Sequence, residues 1–165
     1  MQHLTKTLAL IFILIIGYSC HEITKYSEIP EIHYKSHISK DSVDILGNQI
    51  KYIELTFSVL DGDADFGLAV GDTLPPFDTI YNNNFFSTLF AKENGVFEEV
   101  DILLSSYRIP YLEVVGGKAY KADVKVEFEY FYSLLPSDTI KYEFHVYDKA
   151  LNQSNIEETP EIIFD

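Results

Sequence analysis

The chain has one cysteine, Cys20, so no internal disulfide can form and stability has to come from packing. It has no tryptophan, which weighs against a sugar-stacking surface built on that ring. It has one arginine, Arg108, enough for at most one bidentate clamp on a carboxylate. Basic residues are few: 12 Lys and Arg stand against 26 Asp and Glu, for a net charge of −14. Such a surface repels phosphate backbones and excludes nucleic acid as a partner. It repels anionic headgroups as well. No apolar run reaches the roughly 20 residues that a membrane-spanning helix needs. The G-x-S-x-G, H-E-x-x-H and phosphate-cradling glycine patterns are missing, so no catalytic residues are assigned and the chain is not expected to be an enzyme.

One apolar run is present. Lys6 precedes Leu8–Ile16, and Gly17-Tyr18-Ser19 then lead into Cys20. That is the layout of a secretory signal. The residues Gly17-Tyr18-Ser19-Cys20 resemble a bacterial lipobox. The resemblance implies cleavage before Cys20, a thioether-linked diacylglycerol on its sulfur and a palmitate-type chain on its amine. It also implies an address in the cell envelope, at the outer membrane, on either its periplasmic or its outer side. Two other readings exist: a plain secretory signal, and a buried N-terminal helix, although nine successive apolar residues give such a helix no polar face. The predicted organisation is residues 1–19 as signal peptide, 20–28 as lipidated tether and 29–165 as one β-sandwich domain. Removal of the leader with its one lysine leaves 146 residues and takes the net charge to −15. That length suits one domain with a real core.

Twelve Tyr and twelve Phe, with many Ile and Val, favour strands over helices. Ile53, Leu55, Phe57 and Val59 alternate with Tyr52, Glu54, Thr56 and Ser58, a period of two. The same alternation recurs over Ala122–Tyr130 and Ile140–Tyr147. It recurs more weakly over Glu31–Ser39, where Ile32, Tyr34 and Ile38 share one parity. Gly47-Asn48 and Asn94-Gly95 are hairpin signals. Pro110 places the segment 108–115 at a sheet edge. Seven to eight strands with one wet face each predict an antiparallel β-sandwich of immunoglobulin or fibronectin-III type, with a small barrel as the competing closure.

Asp61, Asp63 and Asp65 stand at alternate positions, with Gly67 and Asp72 following. Neighbouring carboxylates repel one another, and a hard divalent ion such as calcium relieves the repulsion. The spacing departs from an EF-hand at Phe66, where that loop needs glycine. The alternatives are another kind of calcium loop or a solvated turn. Asp148 and Asn152 read as a structural corner, or as further ligands if their loop meets the Asp61 loop. The long loop 71–84 offers Phe77, Tyr81 and Phe85 as partner contacts. His33 and His37 lie too far apart on a regular strand, about 13 Å, to share a zinc ion. With His145 they read as surface residues.

The segments L-D-G-D-A-D-F-G-L (60–68) and Y-D-K-A-L-N-Q-S-N…E-T-P-E-I (147–162) resemble blocks of small lipoproteins from Bacteroidetes-type envelopes. That resemblance implies an exported, lipid-anchored β-sandwich and assigns it no role. The expected function is a non-catalytic binding or scaffold module. Its expected partners are the membrane, through the N-terminal lipid, and another envelope protein or a glycan. The alternatives are a glycan-binding module of an uptake system and, behind it, a hydrolase.

Overall fold

The computed structural model describes residues 25–101, 106–113 and 119–164. The signal peptide, Cys20, the Gly116-Gly117 turn and the end of the segment 108–115 lie outside the described residues.

The described chain forms an antiparallel β-sandwich of nine strands. In order they are β1 (Glu31–Val43), β2 (Gln49–Asp61), β3 (Phe85–Glu93), β4 (Val96–Val100) and β5 (Ser106–Tyr107). Then follow β6 (Tyr120–Phe131), β7 (Thr139–Val146), β8 (Glu157–Glu158) and β9 (Ile162–Ile163). One sheet has the order β1-β2-β6 and faces a second with the order β4-β3-β7-β8. Strand β5 adds to β3, and β9 adds to β7. This is the immunoglobulin/fibronectin-type layout. The count exceeds seven to eight because β5 and β8 have two residues each, too short to show a period of two in sequence.

The hairpins form where the turn residues predict them. Asn94 and Gly95 both have positive φ (50° and 84°), the backbone of a tight two-residue turn that pairs Glu93 with Val96. Gly47 (φ 86°) closes the β1–β2 hairpin, where the Asp44 carboxylate accepts the Leu46 and Asn48 amides.

Strand alternation fills the core. Ile53, Leu55, Phe57 and Val59 of β2 are buried and face Phe85 and Leu89 of β3 and Ile140, Tyr142, Phe144 and Val146 of β7. Phe57 lies 5.6 Å from Phe85 and 5.3 Å from Phe144 between ring centroids, and Phe128 stacks on Tyr142 at 4.6 Å. The buried Tyr142 hydroxyl donates to the Tyr130 hydroxyl at 2.9 Å, so neither polar atom is stranded.

Strand β1 departs from expectation. A bulge between Tyr34 and Ser36 shifts its register against β2. The extra residue reverses the parity beyond it, so Ile38 faces solvent, 54 % exposed, and His37 turns inward. The His37 ring nitrogen then meets the Tyr34 hydroxyl at 2.8 Å. His33 stays on the outside beside Glu31. The two histidines thus share no face.

Segments 25–30, 62–84, 108–113 and 147–155 gather at one end of the sandwich, where β2 and β7 finish and β1, β3 and β6 begin. The inner part of the predicted tether docks there: the Gly62 amide donates to the Ser27 carbonyl at 2.7 Å. A Cβ on Gly62 would stand 2.3 Å from that oxygen, so only glycine allows the approach.

Candidate cation site at the loop pole

Asp61 occupies the next inward position of β2 after Val59, so the strand that builds the core also carries a carboxylate into it. Asp61 is fully buried. One of its oxygens, Oδ2, accepts the Phe66 amide at 2.9 Å, which folds the loop back on itself. Ala64 bends the chain with a φ of 63°. The turn brings one carboxylate oxygen from each of Asp61, Asp63 and Asp65 within 4.8 Å of one another. Two ligands at calcium's usual oxygen distance, about 2.4 Å, sit at most about 4.8 Å apart, so the three are spaced to share one ion.

The Asp148 corner meets this loop. Asp148 Oδ1 accepts the Asn152 amide at 2.7 Å, and Oδ2 accepts the Asn152 side-chain NH₂ at 2.8 Å. Leu151 takes a φ of 65° to close the corner. Asp65 Oδ2 accepts the Ala150 amide across the junction at 3.1 Å. The Asp148 carboxylate also stands near enough to raise the proton affinity of Asp65.

Among the described residues no lysine or arginine pairs with the cluster: the lysine ion pairs all go elsewhere. Burial, reinforced by the Asp63 charge, pushes the Asp61 carboxyl up to about 7. Burial, with the Asp148 and Asp63 charges, pushes Asp65 up to about 6. Burial raises Asp148 as well. Asp61 Oδ1 and Asp65 Oδ1 are buried with no hydrogen-bond partner. A buried acceptor without a donor costs about 1–3 kcal/mol, and a charged one more. Two occupants relieve that cost: a proton, or a divalent ion held by hard oxygen ligands.

Asp72 does not join the cluster. Its Oδ2 accepts the Ala69 amide at 2.8 Å and its Oδ1 pairs with Lys149 at 3.0 Å, which holds its carboxyl below the usual range. Asp72 therefore pins the 148–152 corner to the loop and is not a fourth ligand.

Among the described residues Arg108 binds no carboxylate. Its Nη1 donates to the Asn82 carbonyl and side-chain oxygen at 2.7 and 3.0 Å, and its Nη2 donates to the Ala69 and Asp72 carbonyls at 2.6 and 3.1 Å. The guanidinium thus stitches the segments 69–72 and 82 together across Ile109 and Pro110. Lysine lacks the planar fork to span them. Arg108→Lys is expected to lower stability by about 1–2 kcal/mol. It is expected to speed hydrogen exchange at the Asp72 and Asn82 amides, read by mass spectrometry, while the β2 amides stay protected.

Asn84 also escaped the sequence reading. It is buried, its Oδ1 accepts the Ile109 amide at 2.6 Å, and its backbone bonds to Tyr107 and Tyr147. Its place in the triple Asn82-Asn83-Asn84 marks a loop but not which of the three turns inward.

The proposed contact aromatics separate. Phe77 is half-buried on the loop. Tyr81 packs edge-on to Tyr147 at 5.5 Å and joins Phe86 and His145 in a half-buried ring cluster on the outer face of the larger sheet. Burial lowers the His145 pKa below its ordinary value. Phe85 is not a surface contact: it is fully buried between Phe57 and Phe144. Phe85 opens β3 at the end of the loop, and the strand sends Phe85, Ser87, Leu89 and Ala91 inward.

No family model matches the chain, and no curated protein matches it.

Proposed function

We propose that this protein is a lipid-anchored, non-catalytic module of the bacterial cell envelope that binds another envelope component, with a loop pole assembled around one calcium-class ion. The observation that carries the ion reading is the pair of buried, partnerless carboxylate oxygens, on Asp61 and Asp65, converging with Asp63. Asp61, Asp63 and Asp65 hold the ion; backbone carbonyls and water complete a shell of six to eight oxygens. The ion neutralises the repulsion that otherwise opens the loop, and so fixes the segments 62–84 and 147–155 as a contact surface. The anchor rests on the leader and Cys20, at the outer membrane, facing the periplasm or the exterior.

Equilibrium dialysis against calcium tests the ion. The wild type is expected to bind one ion per chain, with a dissociation constant of about 10⁻⁴–10⁻³ M as in extracellular modules. Asp63→Ala, a change at an exposed position, is expected to bind none. Equal uptake by both would move the site elsewhere. Mass spectrometry of the envelope protein tests the anchor through the diacylglyceryl mass on Cys20.

The ring cluster of Tyr81, Phe86, His145 and Tyr147 favours a second reading, a glycan-binding module whose sugar stacks on those faces. Retention on a polysaccharide gel, lost in Tyr147→Ala, separates it from a protein-binding role.

A further inference from the structure

The smaller sheet has two long edges, and they are treated differently. Along β1 the edge is closed. Asn155 accepts the Ile32 amide and donates to the Ile32 carbonyl, both at 2.9 Å, and Glu157 accepts the Tyr34 amide at 2.9 Å. The bulge beyond Tyr34 interrupts it further. Bulges and covering side chains keep a strand from recruiting another. In the larger sheet the outer strands are short: β4 has five residues, and β8 and β9 have two each.

Strand β6 has none of these protections. It runs twelve residues, pairs with β2 through twelve positions without a register break, and among the described residues has no ladder on its other side. There it borders an open groove of about 550 Å³ whose far wall is Tyr107–Leu112. Among the described residues no hydrogen bond joins that wall to β6.

The charges along β6 from Lys121 to Glu127 are self-complementary under a two-fold rotation about Val124. Lys121, Asp123, Lys125 and Glu127 are exposed on the outer face, and Ala122, Val124 and Val126 point inward. In an antiparallel pair centred on Val124, Lys121 of one copy faces Glu127 of the other, and Asp123 faces Lys125. Inside, Ala122 meets Val126 and Val124 meets itself. A slip of two residues one way sets Asp123 against Asp123 and Lys121 against Lys125. A slip the other way sets Lys125 against Lys125 and Asp123 against Glu127, which the Lys121–Glu129 pairs it gains do not offset. Opposite charges directly across a ladder stabilise it and like charges oppose it, so one register is selected. Asp123 and Lys125 also make exposed pairs within the chain, to Lys35 and Glu54, which leave their outward oxygen and ammonium protons accessible.

We propose that the protein pairs with a second copy of itself along β6, antiparallel and centred on Val124, to form one continuous six-stranded sheet. Neither the lipid nor the ion is required for this pairing.

The test is zero-length carbodiimide coupling of the full-length anchored protein in detergent micelles. Within one copy Lys121 and Glu127 lie about 20 Å apart along the strand, beyond the reach of a direct amide link. The expected result is a dimer whose digest contains a Lys121–Glu127 isopeptide. The double variant K121E/K125E sets like charges across the seam and is expected to raise the dimer dissociation constant at least tenfold by light scattering. Mixing it with D123K/E127K is expected to restore a mixed dimer, which a merely unfolded variant does not. A wild type that stays monomeric at about 100 μM overturns the proposal, as does a dimer without the Lys121–Glu127 link or one indifferent to the charge reversal.

Discussion

Stripped of divalent ions, the protein is expected to lose stability as the pH rises from 5 to 8, and calcium is expected to remove most of that loss. The direction follows from the carboxyls at the loop pole. Folding lifts Asp61 from 3.8 to about 7 and Asp65 from 3.8 to about 6. Between those limits the folded state holds protons that the unfolded chain has released. Stability therefore falls with rising pH across that window, and the penalty is complete above about pH 7. One pKa unit corresponds to about 1.4 kcal/mol, so from pH 5 upward Asp61 sets an upper figure of about 3 kcal/mol and Asp65 adds at most about 1.4 kcal/mol; the coupling of Asp61 to Asp63 brings the expectation to about 2–4 kcal/mol. A bound divalent ion replaces the protons and flattens the curve. At 10 mM calcium, 10–100 times the expected dissociation constant, the gain is about 1.4–2.7 kcal/mol, or roughly 4–10 °C in melting temperature for a domain of this size. Asp61→Asn separates the two occupants. The amide oxygen keeps the Phe66 bond and the buried charge disappears. The variant is expected to melt higher than the wild type at pH 8 in chelator and to gain little from calcium. The measurement is thermal unfolding by circular dichroism at pH 5 and pH 8, in chelator and in calcium. A melting temperature that ignores both pH and calcium would remove the ion from the account.

Phe57→Ala is expected to cost about 3–5 kcal/mol, the range for deleting a buried aromatic ring whose surroundings cannot collapse. Phe57 is fully buried and touches rings from two strands of the opposite sheet, Phe85 of β3 and Phe144 of β7. Its loss opens a void between the layers. Against the 5–15 kcal/mol that hold a typical domain together, this brings the protein to the edge of unfolding. Phe131→Ala is the control. That ring is 46 % exposed at the far end of β6, and its removal is expected to cost less than about 1 kcal/mol. Urea unfolding of both variants checks the difference; equal midpoints would mean that the layers do not pack through Phe57.

The fold was legible wherever one parity was apolar and the other polar. Strands β2, β6 and β7 satisfy that condition, and their inward residues are the ones expected. Strand β3 does not, because Phe85, Phe86, Leu89 and Phe90 put large rings and chains on both faces, so its pattern left open which way Phe85 turns. The β1 bulge left no local mark: nothing in Lys35 or its neighbours announces an inserted residue, and the parity of Ile38 inverted with it. At the loop pole the acidic spacing was readable, but not that Asp61 takes the next inward position of β2. The convergence of Asp148, the diversion of Asp72 to Lys149 and the four-oxygen grip of Arg108 were not, because each joins segments brought together only by the fold.

The grip of Gly62 on Ser27 sets the length of the leash. Seven residues separate that carbonyl from Cys20, and a fully extended chain of that length covers about 24 Å. With the sulfur held in a bilayer as proposed above, the domain hangs low, its loop pole confined to a thin layer over the lipid. A binding partner has to enter that layer from the side or already reside in it. Anything farther out meets only the opposite end of the sandwich, where the β1–β2 and β3–β4 hairpins turn.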